Sequence, residues 1–502
     1  MIRTEDKRNQ IYNEFDEDSR KNWFDLTQKK ILHGIDSLYF TVYLREPYNN
    51  VDFFKKLDTY KDLVDGENVY LEDLDLHITS LTFRQYTYCF TKEDNFKIFV
   101  AKKVPISNFP PIIVHLSANL LWEVGEYTAL EKAYEYVSRL ISPHYTVLHV
   151  KENRIDYAYH TNYMRDLESF LNVNKLNSMQ VSNFTRGRLD FALVGDDKTD
   201  FDYIAFGNRT SNNLYLRMYN KTKEVIEKGY KAFFYPIWLK NGLISKYDMY
   251  CYEKAFLKKS YRWLTLARLE FYLEFGEDVN IKKRCHGILS GYEKLEHDDL
   301  ERFANTITPR PTLITNIEYE TKRKFYQSLD ESMEFLALIT NTEYKALDRL
   351  FRLMDNKILI HRLLTTDVFR LVDMKDTKHT RKRNKDVLPF WKLLQDLKLT
   401  SYSPDSNLVR KYNRDLNIEL IKNRIVNSMS SLSLYLNNEN EQDILQDTID
   451  FLTLLSENDT QKAFSYKNKK ANLLKGKFET LDNLEVRKRF ALLDKEDGSY
   501  IE

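Results

Sequence analysis

Residues 206–224 read Phe-Gly-Asn-Arg-Thr-Ser-Asn-Asn-Leu-Tyr-Leu-Arg-Met-Tyr-Asn-Lys-Thr-Lys-Glu. The small and polar residues 207–213 favour a turn, and the alternation over residues 214–219 predicts a β-strand. Because alternate side chains of a strand share a face, one set would enter the core and the other would line the opposite face. The core set is Leu214, Leu216 and Met218, and the opposite set is Tyr215, Arg217 and Tyr219.

The outward-facing side chains of this strand suit phosphodiester transesterification. A tyrosine hydroxyl, with a pKa of about 10, is a weak nucleophile unless positive charge or a metal ion stabilises the phenolate. Arg217 would lie about 6.6 Å from Tyr219, and together with Lys221 it could hold the scissile phosphate. A strand with arginine and tyrosine outward is also ordinary half-buried sheet, so the pattern alone leaves a structural role open.

The same block resembles one in the replication initiation factor family, where a Gly-Ser-Arg-x-Ser turn precedes Arg-Ile-Tyr-Asn/Asp/Glu-Lys. Two shorter pieces follow the family's order. Arg154-Ile155-Asp156-Tyr157-Ala158 resembles the upstream Arg-Ile-Asp-x-Ala strand, and Arg268-Leu269-Glu270-Phe271 resembles the downstream Arg-x-Glu strand. The likeness covers about residues 110–275. Arg188-Leu189-Asp190-Phe191-Ala192 repeats the Arg-x-Asp-x-Ala pattern and leaves the alignment of the upstream piece ambiguous.

The family comprises rolling-circle plasmid and phage initiators and related conjugative relaxases. The resemblance implies that Tyr219 cuts one strand of origin DNA, keeps the 5′ phosphate as a phosphotyrosine and leaves a 3′ hydroxyl primer. We assign catalytic roles to Tyr219, Arg217, Lys221 and Glu224, and DNA contacts to Arg209, Lys223 and Arg268. The alternatives are a relaxase for conjugative transfer and a DNA-binding regulator whose nuclease site has decayed.

A divalent ion is expected beside the tyrosine, bound by Asp156, His160 and Glu270. His160 stands where the family usually has a second acid, and this favours Mn²⁺ over Mg²⁺ because magnesium prefers oxygen ligands. Asp156 and His160 share a strand face but lie about 13 Å apart, so we expect one of them to pair with Glu270. An arginine–carboxylate network that only braces the sheet is the alternative.

The remaining pattern predicts an α+β protein built on a mostly antiparallel sheet. Residues 1–30 read as a polar N-terminal extension, and residues 31–306 form the nicking domain with flanking helices. The prolines of Thr306–Thr312 predict a linker, and residues 312–502 are expected to be mainly helical. Strands are predicted at 38–44, 81–90, 96–100, 112–116, 147–150, 154–159, 188–194, 214–219 and 268–275, and a helix at 120–140.

The strongest basic run is Lys375–Lys385, with six Lys or Arg and one acid. Such a run could contact the phosphate backbone, although it is usually a solvated loop. We assign DNA contacts to Lys378, Arg381, Lys382 and Arg383. Phe390 and Trp391 follow the run and could stack on bases, with core packing as the other interpretation.

Bulk composition sets the remaining expectations. The 502 residues have a net charge of +1, so any nucleic-acid binding must come from local clusters. Three cysteines without a CxxC motif, a charged N-terminus and the lack of a long apolar stretch predict a cytoplasmic protein without a membrane partner. There is no GxxxxGK[ST] motif. A host helicase and polymerase are therefore expected partners, besides origin and single-stranded DNA, and a homodimer is left open.

Overall fold

The computed structural model describes residues 24, 30–103, 109–164, 180–182, 189–193, 201–207, 209–210, 213–228, 231–292, 295–329, 344–397, 399, 425–430, 432–433, 444–456, 459 and 461–463. The chain divides into two compact units, Met1–Val409 and Arg410–Glu502. The predicted extension 1–30 lies almost wholly outside the described residues, as does Arg188.

Within the described residues of the first unit, one large sheet organises the chain, and every strand pair in it is antiparallel. Eleven strands lie in the order β2-β3-β4-β5-β6-β1-β7-β12-β11-β10-β9, and β8 pairs separately with β13. This confirms the predicted α+β class with an antiparallel sheet. The strands are β1 (Ile31–Leu44), β2 (Val69–Leu71), β3 (Leu76–Thr79), β4 (Tyr86–Lys92), β5 (Phe96–Ala101), β6 (Ile112–Ser117), β7 (Val147–Thr161), β8 (Gln180–Ser182), β9 (Leu189–Leu193), β10 (Phe201–Phe206), β11 (Leu214–Asn220), β12 (Thr315–Lys322) and β13 (Phe369–Leu371).

Helices pack against both faces of this sheet. In chain order the described helices are α1 (Val51–Asp62), α2 (Ala118–Val124), α3 (Glu126–Ile141), α4 (Lys221–Lys228), α5 (Phe234–Lys240), α6 (Lys246–Leu257), α7 (Trp263–Phe275), α8 (Val279–Gly291), α9 (His297–Ile307), α10 (Arg323–Gln327), α11 (Asp348–Asp355), α12 (Lys357–Arg362), α13 (Pro389–Gln395) and α14 (Ile444–Thr453). The predicted helix 120–140 is two helices, because Gly125 has a φ of 81° between them, a conformation that glycine adopts without steric cost.

Side-chain alternation gives the sheet two different faces. On β1, Leu38, Phe40 and Val42 point into the main core, which α1, α3 and α11 cover. The opposite face is covered at one end by a second core built from α4 to α7, including Trp238 and Phe234. This second core packs over the part of the sheet that carries Tyr219.

The chain after the predicted linker returns to the sheet, which corrects the expected division near residues 306–312. Thr315–Lys322 forms β12, which pairs with β7 on one side and β11 on the other. The prolines do end α9 at Ile307, but the segment after them alternates as Asn-Ile-Glu-Tyr-Glu-Thr. The expectation of a mainly helical region from 312 onward is therefore wrong for this strand.

The predicted strand at residues 268–275 is also wrong, because these residues belong to helix α7. Apolar side chains occur on several sides of this helix, since Leu266 and Leu269 pack towards α8 and α9 while Ala267 and Phe271 pack into the second core. A short apolar run of this kind cannot be assigned to a helix or a strand from its periodicity.

The remaining predicted strands differ mainly in their limits. The predicted strands 147–150 and 154–159 are one continuous strand, β7, which spans Val147–Thr161. The strand predicted at 81–90 begins only at Tyr86.

In the second unit, α14 lies near residues 425–433, and Ser433 Oγ donates a hydrogen bond to Asp447 Oδ2 at 2.9 Å.

Candidate functional site

The predicted strand β11 occupies a position inside the sheet, and its pairing with β12 and β7 brings polar side chains into adjacent rows. In the first row, Tyr219 is opposite Asn316, which is opposite His160. In the second, Arg217 is opposite Glu318, and in the third, Tyr215 is opposite Glu320, which is opposite Asp156. These side chains share one face, as the alternation predicted.

The hydroxyl group of Tyr219 has three polar partners. It donates to Glu318 Oε2 at 2.9 Å, and it accepts from Asn316 Nδ2 at 2.9 Å and from Lys221 Nζ at 3.2 Å. The proton of the phenol is therefore directed at a carboxylate, while two donors, one of them cationic, face the oxygen. This arrangement combines a base for the proton with stabilisation for a phenolate.

Lys221 is a buried cation surrounded by oxygen atoms. It follows β11 directly as the first residue of α4, and none of its side chain is exposed. Its ammonium nitrogen lies 2.7 Å from Asp36 Oδ2 and 3.0 Å from Glu224 Oε2. Burial opposes the charged form, but Asp36, Tyr219 and Glu224 together raise the pKa of Lys221 well above its ordinary value. The lysine therefore stays charged beside the tyrosine.

Glu224 completes the shell around this cation. Its other oxygen, Oε1, lies 3.0 Å from Lys231 Nζ. Although burial acts in the opposite direction, Lys221 and Lys231 lower the pKa of Glu224 to about 2. Glu224 is thus an anion that holds Lys221 in place and makes no described contact with the phenol.

Arg217 contacts the same carboxylate as the tyrosine. Its Nη2 donates to Glu318 Oε1 at 2.6 Å, and its guanidinium lies 5.0 Å from the centre of the Tyr219 ring. Both oxygens of Glu318 are therefore bound, one by arginine and one by the phenol. This fixes the carboxylate with one oxygen facing the tyrosine hydroxyl.

The pKa of the tyrosine reflects this enclosure. Burial, followed by the negative charge of Glu318, raises the pKa of Tyr219 well above 10, and Lys221 and Arg217 act in the opposite direction. The side chain of Tyr219 is only 5% exposed. The hydroxyl is therefore buried, but it is buried inside a cluster of charged groups rather than among apolar side chains.

His160, which pairs with Asn316 across the strands, is contacted by two tryptophans. Its Nδ1 accepts a hydrogen bond from Trp238 Nε1 at 3.1 Å, and its ring stacks on Trp122 with centroids 4.7 Å apart. Its Nε2 lies 3.9 Å from Asp36 Oδ1. Burial lowers the pKa of His160, so the ring is neutral.

Trp122 reaches the site because the neighbouring strand carries a glycine. A Cβ placed on Gly34 would lie 2.4 Å from the Trp122 ring, so a larger residue would push the indole away. From this position Trp122 Nε1 donates to Asp36 Oδ1 at 2.9 Å. Asp36 itself lies where β1 shifts register against β7, between Ile35 and Ser37.

The third row is an arginine–carboxylate network. Arg154 donates to Asp156 at 2.8 Å and lies 3.0 Å from Glu320, while Arg209, which is half exposed, lies 2.9 Å from Glu320. Burial raises the pKa of Asp156 to about 7; Arg154 opposes this, and Glu318 and Glu320 add to it. The network matches the bracing role that we left open for these residues.

The expected metal ligands do not come together. Glu270 lies on helix α7, where it pairs with Lys254 at 3.5 Å and with Trp263 at 3.3 Å, while Asp156 and His160 lie in different rows. Their oxygen and nitrogen atoms contact arginine, lysine or tryptophan, so Asp156, His160 and Glu270 as arranged do not form a three-ligand metal centre. The ammonium group of Lys221 occupies the space between Asp36, Glu224 and the phenol.

The residues expected to contact DNA lie in three different environments: the protein interior, the N-terminus of a helix and a loop with exposed residues. Arg268 is buried, and its guanidinium binds Glu301, Asn305 and Thr308, so its assignment as a DNA contact is wrong. The backbone nitrogen of Lys223 is capped by Asn220 Oδ1 at 3.0 Å at the start of α4. Lys378, Arg381 and Arg383 are exposed and Lys382 is half-buried.

The loop that carries these basic residues is ordered by one acid. Asp376 accepts from the backbone nitrogens of Lys378 and Asp386 at 2.7 and 2.9 Å and contacts His379 at 2.9 Å. Trp391 is fully buried, which fits the core-packing interpretation of that residue.

The sequence did not identify four residues of the site: Asp36, Trp122, Asn316 and Glu318. The signal for two of them was available, because Asn-Ile-Glu-Tyr-Glu in β12 alternates as clearly as β11 does. Asp36 and Trp122 carried no local signal, since only strand pairing and helix packing place them beside Lys221.

The site so built is a buried tyrosine–glutamate pair with a resident lysine, on the face of an antiparallel α+β sheet. Comparisons with known protein families and with curated proteins give no match. Among solved structures, the chain is similar to one described as the rolling circle replication initiator protein from Geobacillus stearothermophilus, with 12% identity and a TM-score of 0.34. That match covers 73% of this chain and 96% of that chain. A likeness at this level adds nothing to the assignment of the site, which rests on its own geometry.

Across the described part of the chain, no helix combines the length and the apolar character that crossing a membrane requires.

Proposed function

We propose that this protein nicks one strand of DNA by transesterification, with Tyr219 as the nucleophile. The observation that supports it is the contact of the Tyr219 hydroxyl with Glu318 at 2.9 Å, opposite two donors, Lys221 and Asn316. A phenol with an adjacent carboxylate and a cation meets the usual requirements for an activated nucleophile.

The proposed step exchanges one phosphodiester bond for another. The Tyr219 oxygen forms a bond to phosphorus as the bond from phosphorus to the 3′ oxygen of the preceding nucleotide breaks. Glu318 takes the phenolic proton and returns it to the departing 3′ oxygen. Lys221 and Arg217 stabilise the negative charge that develops. The products are a 5′-phosphotyrosine and a free 3′ hydroxyl.

A divalent ion remains part of the proposal as an experimental question. The carboxylates around Tyr219 are paired with lysine and arginine, so no step above is routed through a metal ion. Adduct formation measured with Mn²⁺, with Mg²⁺ and with a chelator separates a metal-dependent reaction from one carried by Lys221 and Arg217 alone.

The experiment that tests the nucleophile uses single-stranded oligonucleotides and the matched variants Tyr219→Phe and Tyr215→Phe. Both tyrosines lie on the same face of β11, and each is 5% exposed, so the two changes perturb packing to a similar extent. We expect the covalent adduct to disappear in Tyr219→Phe and to persist in Tyr215→Phe. An adduct that survives in Tyr219→Phe would refute the assignment, and mass spectrometry of the wild-type adduct would locate the reacting residue.

The biological setting of the nick is a finer proposal. Initiation of rolling-circle replication and conjugative transfer share the chemistry, and they differ in whether the nick lies in a replication origin or a transfer origin. In the first setting a host helicase would unwind from the nick and a host polymerase would extend the 3′ hydroxyl. Sequencing the 3′ ends generated on the parent element separates the two.

A second candidate is a DNA-binding regulator without nuclease activity. The burial of the Tyr219 hydroxyl favours it, because an attacking oxygen must reach a phosphorus atom and this one is enclosed by the second core. DNA binding by wild type without any adduct, across several oligonucleotides and metals, would support the regulator over the nickase.

A further inference from the structure

The loop between β13 and α13 holds two carboxylates and an imidazole close together. Its ends meet at Val372 and Val387, which pair as an antiparallel bridge. Inside it, Asp376, His379 and Asp386 each place one oxygen or nitrogen atom within 4.8 Å of the other two. We call these three residues the loop triad. Their described hydrogen bonds are all to residues of the same loop.

Asp376 is the fixed member of the loop triad. Its side chain is 4% exposed, and the backbone N–H groups of Lys378 and Asp386 donate to its two oxygens at 2.7 and 2.9 Å. A carboxylate offers about four lone-pair positions, so these two bonds leave room for a further partner. In the structure one such position faces His379 Nδ1, which lies 2.9 Å from Asp376 Oδ2. The loop backbone therefore holds the carboxylate in place with one oxygen directed at the imidazole.

The separations between these atoms suit a small divalent ion. Bonds of about 2.0–2.2 Å to nitrogen and oxygen, at tetrahedral angles, place the ligand atoms about 3.3–3.6 Å from one another. The contact between Asp376 and His379 is shorter than this, and no pair of ligand atoms in the triad is farther apart than 4.8 Å. His379 is 42% exposed and Asp386 is exposed, so both side chains have room to adjust around an ion.

The loop is basic, yet no lysine or arginine neutralises the carboxylates of the triad. Six Lys or Arg lie in Lys375–Lys385. Among the residues that the structure describes, none of them forms an ion pair with the side chain of Asp376 or Asp386, and Lys385 donates instead to the backbone oxygen of Asp376. Two carboxylates this close repel each other unless a cation lies between them. Surface carboxylates are often only solvated, but here one is buried and has an imidazole nitrogen beside it.

We propose that the loop triad binds a divalent transition-metal ion, with Zn²⁺ preferred to Mn²⁺ and both preferred to Mg²⁺. One imidazole nitrogen with two carboxylate oxygens suits zinc or manganese, whereas magnesium prefers oxygen ligands alone. The ion takes the place of the proton that lies between His379 and Asp376. Three protein ligands leave at least one coordination position for water.

An ion at this position ties the start of the loop to its end. Asp376 and His379 lie early in the loop and Asp386 is its last residue before the bridge, while Arg381 and Arg383 between them are exposed. Binding therefore favours one conformation of the segment that carries these cations, because the ion stabilises only the state in which all three ligands meet. The site is separate from the ligands expected on the sheet, and the proposal holds whether or not the protein nicks DNA.

The first test is isothermal titration calorimetry of the full chain after a chelator has been added and dialysed away, with Zn²⁺, Mn²⁺ and Mg²⁺ as the probes. The variant is His379→Asn with Asp386→Asn, which removes two ligands and keeps the buried Asp376. The matched control is His286→Asn with Asp65→Asn, which makes the same changes at exposed positions outside the loop.

We expect the wild type and the control to bind one Zn²⁺ that the variant binds at least about tenfold more weakly, since loss of supporting contacts alone costs about 10- to 100-fold in metal affinity. Mn²⁺ should bind more weakly than Zn²⁺, and Mg²⁺ more weakly still. Equal Zn²⁺ affinity in the variant and the control would overturn the proposal, and so would Mg²⁺ binding as tight as that of Zn²⁺.

A second measurement uses the wild type and does not depend on the folding of any variant. Trypsin cleaves after lysine and arginine, so cleavage at the exposed Arg381 and Arg383 reports opening of the loop. At a Zn²⁺ concentration about ten times the Kd, this cleavage should slow about tenfold, because proteolysis through local opening follows the population of the open state.

Cleavage at Lys258 and Lys259, which are exposed between α6 and α7, corrects for any effect of zinc on trypsin itself. Loop cleavage that does not slow relative to this turn would contradict the proposal. Neither measurement involves DNA, so a failure of the nicking reaction leaves both results unaffected.

Discussion

The phenolic oxygen of Tyr219 and the carboxylate of Glu318 are hydrogen-bonded at 2.9 Å across neighbouring strands, although 99 residues separate them in the chain. Asn316, on the same strand as Glu318, donates to both groups, at 2.9 Å to the phenol and 3.1 Å to the carboxylate. Tyr219, Glu318 and Asn316 therefore form one hydrogen-bonded group. Two of these residues, Asn316 and Glu318, follow the prolines at which the sequence predicted the end of the domain.

Glu318→Gln should remove the base while keeping the shape of the side chain. We expect the rate of adduct formation to fall by about 10²- to 10⁴-fold, the usual contribution of a general base. The matched control is Glu320→Gln, two residues along on the same face and equally part of an ion-pair network. Adduct formation on denaturing gels measures both, and a similar loss in the two variants would mean that the effect comes from sheet packing.

Lys221→Met should destabilise the protein strongly, because it leaves Asp36 buried without its paired cation and removes one of the lysines around Glu224. Breaking one partner of a buried ion pair costs about 3–5 kcal/mol in free energy of unfolding. Adding Asp36→Asn to Lys221→Met should recover part of the loss, since one uncompensated charge is removed. Urea unfolding monitored by tryptophan fluorescence gives both values, and a double variant no more stable than the single one would contradict the assignment of Asp36 as the partner.

Stability should depend on Glu224 at acid pH. Its pKa falls from an ordinary 4.5 to about 2 in the folded protein, so the stabilisation is present above about 4.5 and is lost as the pH falls towards 2. The full difference corresponds to about 3 kcal/mol. We expect the wild type to lose more stability than Glu224→Gln between pH 5 and pH 3 in urea titrations, and parallel losses would show that Glu224 is not held as an anion.

Gly34→Ala should displace Trp122, because the added Cβ would lie 2.4 Å from its ring. Overpacking of this kind costs about 1–3 kcal/mol, and we expect a lower melting temperature. Gly287→Ala is the control, since nothing lies within 4 Å of the added carbon in helix α8 and alanine favours a helix. Equal melting temperatures for the two variants would show that Trp122 moves aside without cost.

Charge reversal in the basic loop should weaken DNA binding uniformly across sequences. Lys378, Arg381 and Arg383 are exposed, so reversing them perturbs the fold little. We also expect affinity for duplex DNA to depend less on salt. The slope of log affinity against log salt concentration should decrease in magnitude by about 0.9 for each lost phosphate contact. The same three reversals at Lys55, Lys132 and Arg139, which are exposed on α1 and α3, provide the comparison, and an unchanged slope would show that the loop is only solvated.

Strand β11 is the element that the local sequence pattern predicted most completely. Its limits, its two faces and the outward position of Arg217 and Tyr219 follow from alternation, which depends only on backbone geometry. The same reasoning failed for Arg268 and Glu270, because an apolar run of that length fits a buried helix as well as a strand. Glu270, which was expected beside Tyr219, lies on helix α7. The glutamate that contacts Tyr219 is Glu318 of β12.

The metal prediction illustrates the same limit. Asp156 and His160 are on the expected face, but whether a carboxylate binds a cation or an arginine depends on its neighbours across strands. Arg154 binds Asp156, and Lys221 reaches Asp36 from 185 positions away. The requirement for Mn²⁺ or Mg²⁺ stays a prediction.

The α+β class, the antiparallel sheet and the outward face of β11 could be predicted from local pattern, because hydrophobic alternation acts over a few neighbouring residues. The folded chain was needed to show that the outward face is itself covered, that β12 supplies the carboxylate for Tyr219, and that Lys221 is the cation of the cluster. These depend on strand order and on the packing of α4 to α7. Such long-range pairings follow from the summed burial of the whole core, which no single segment encodes.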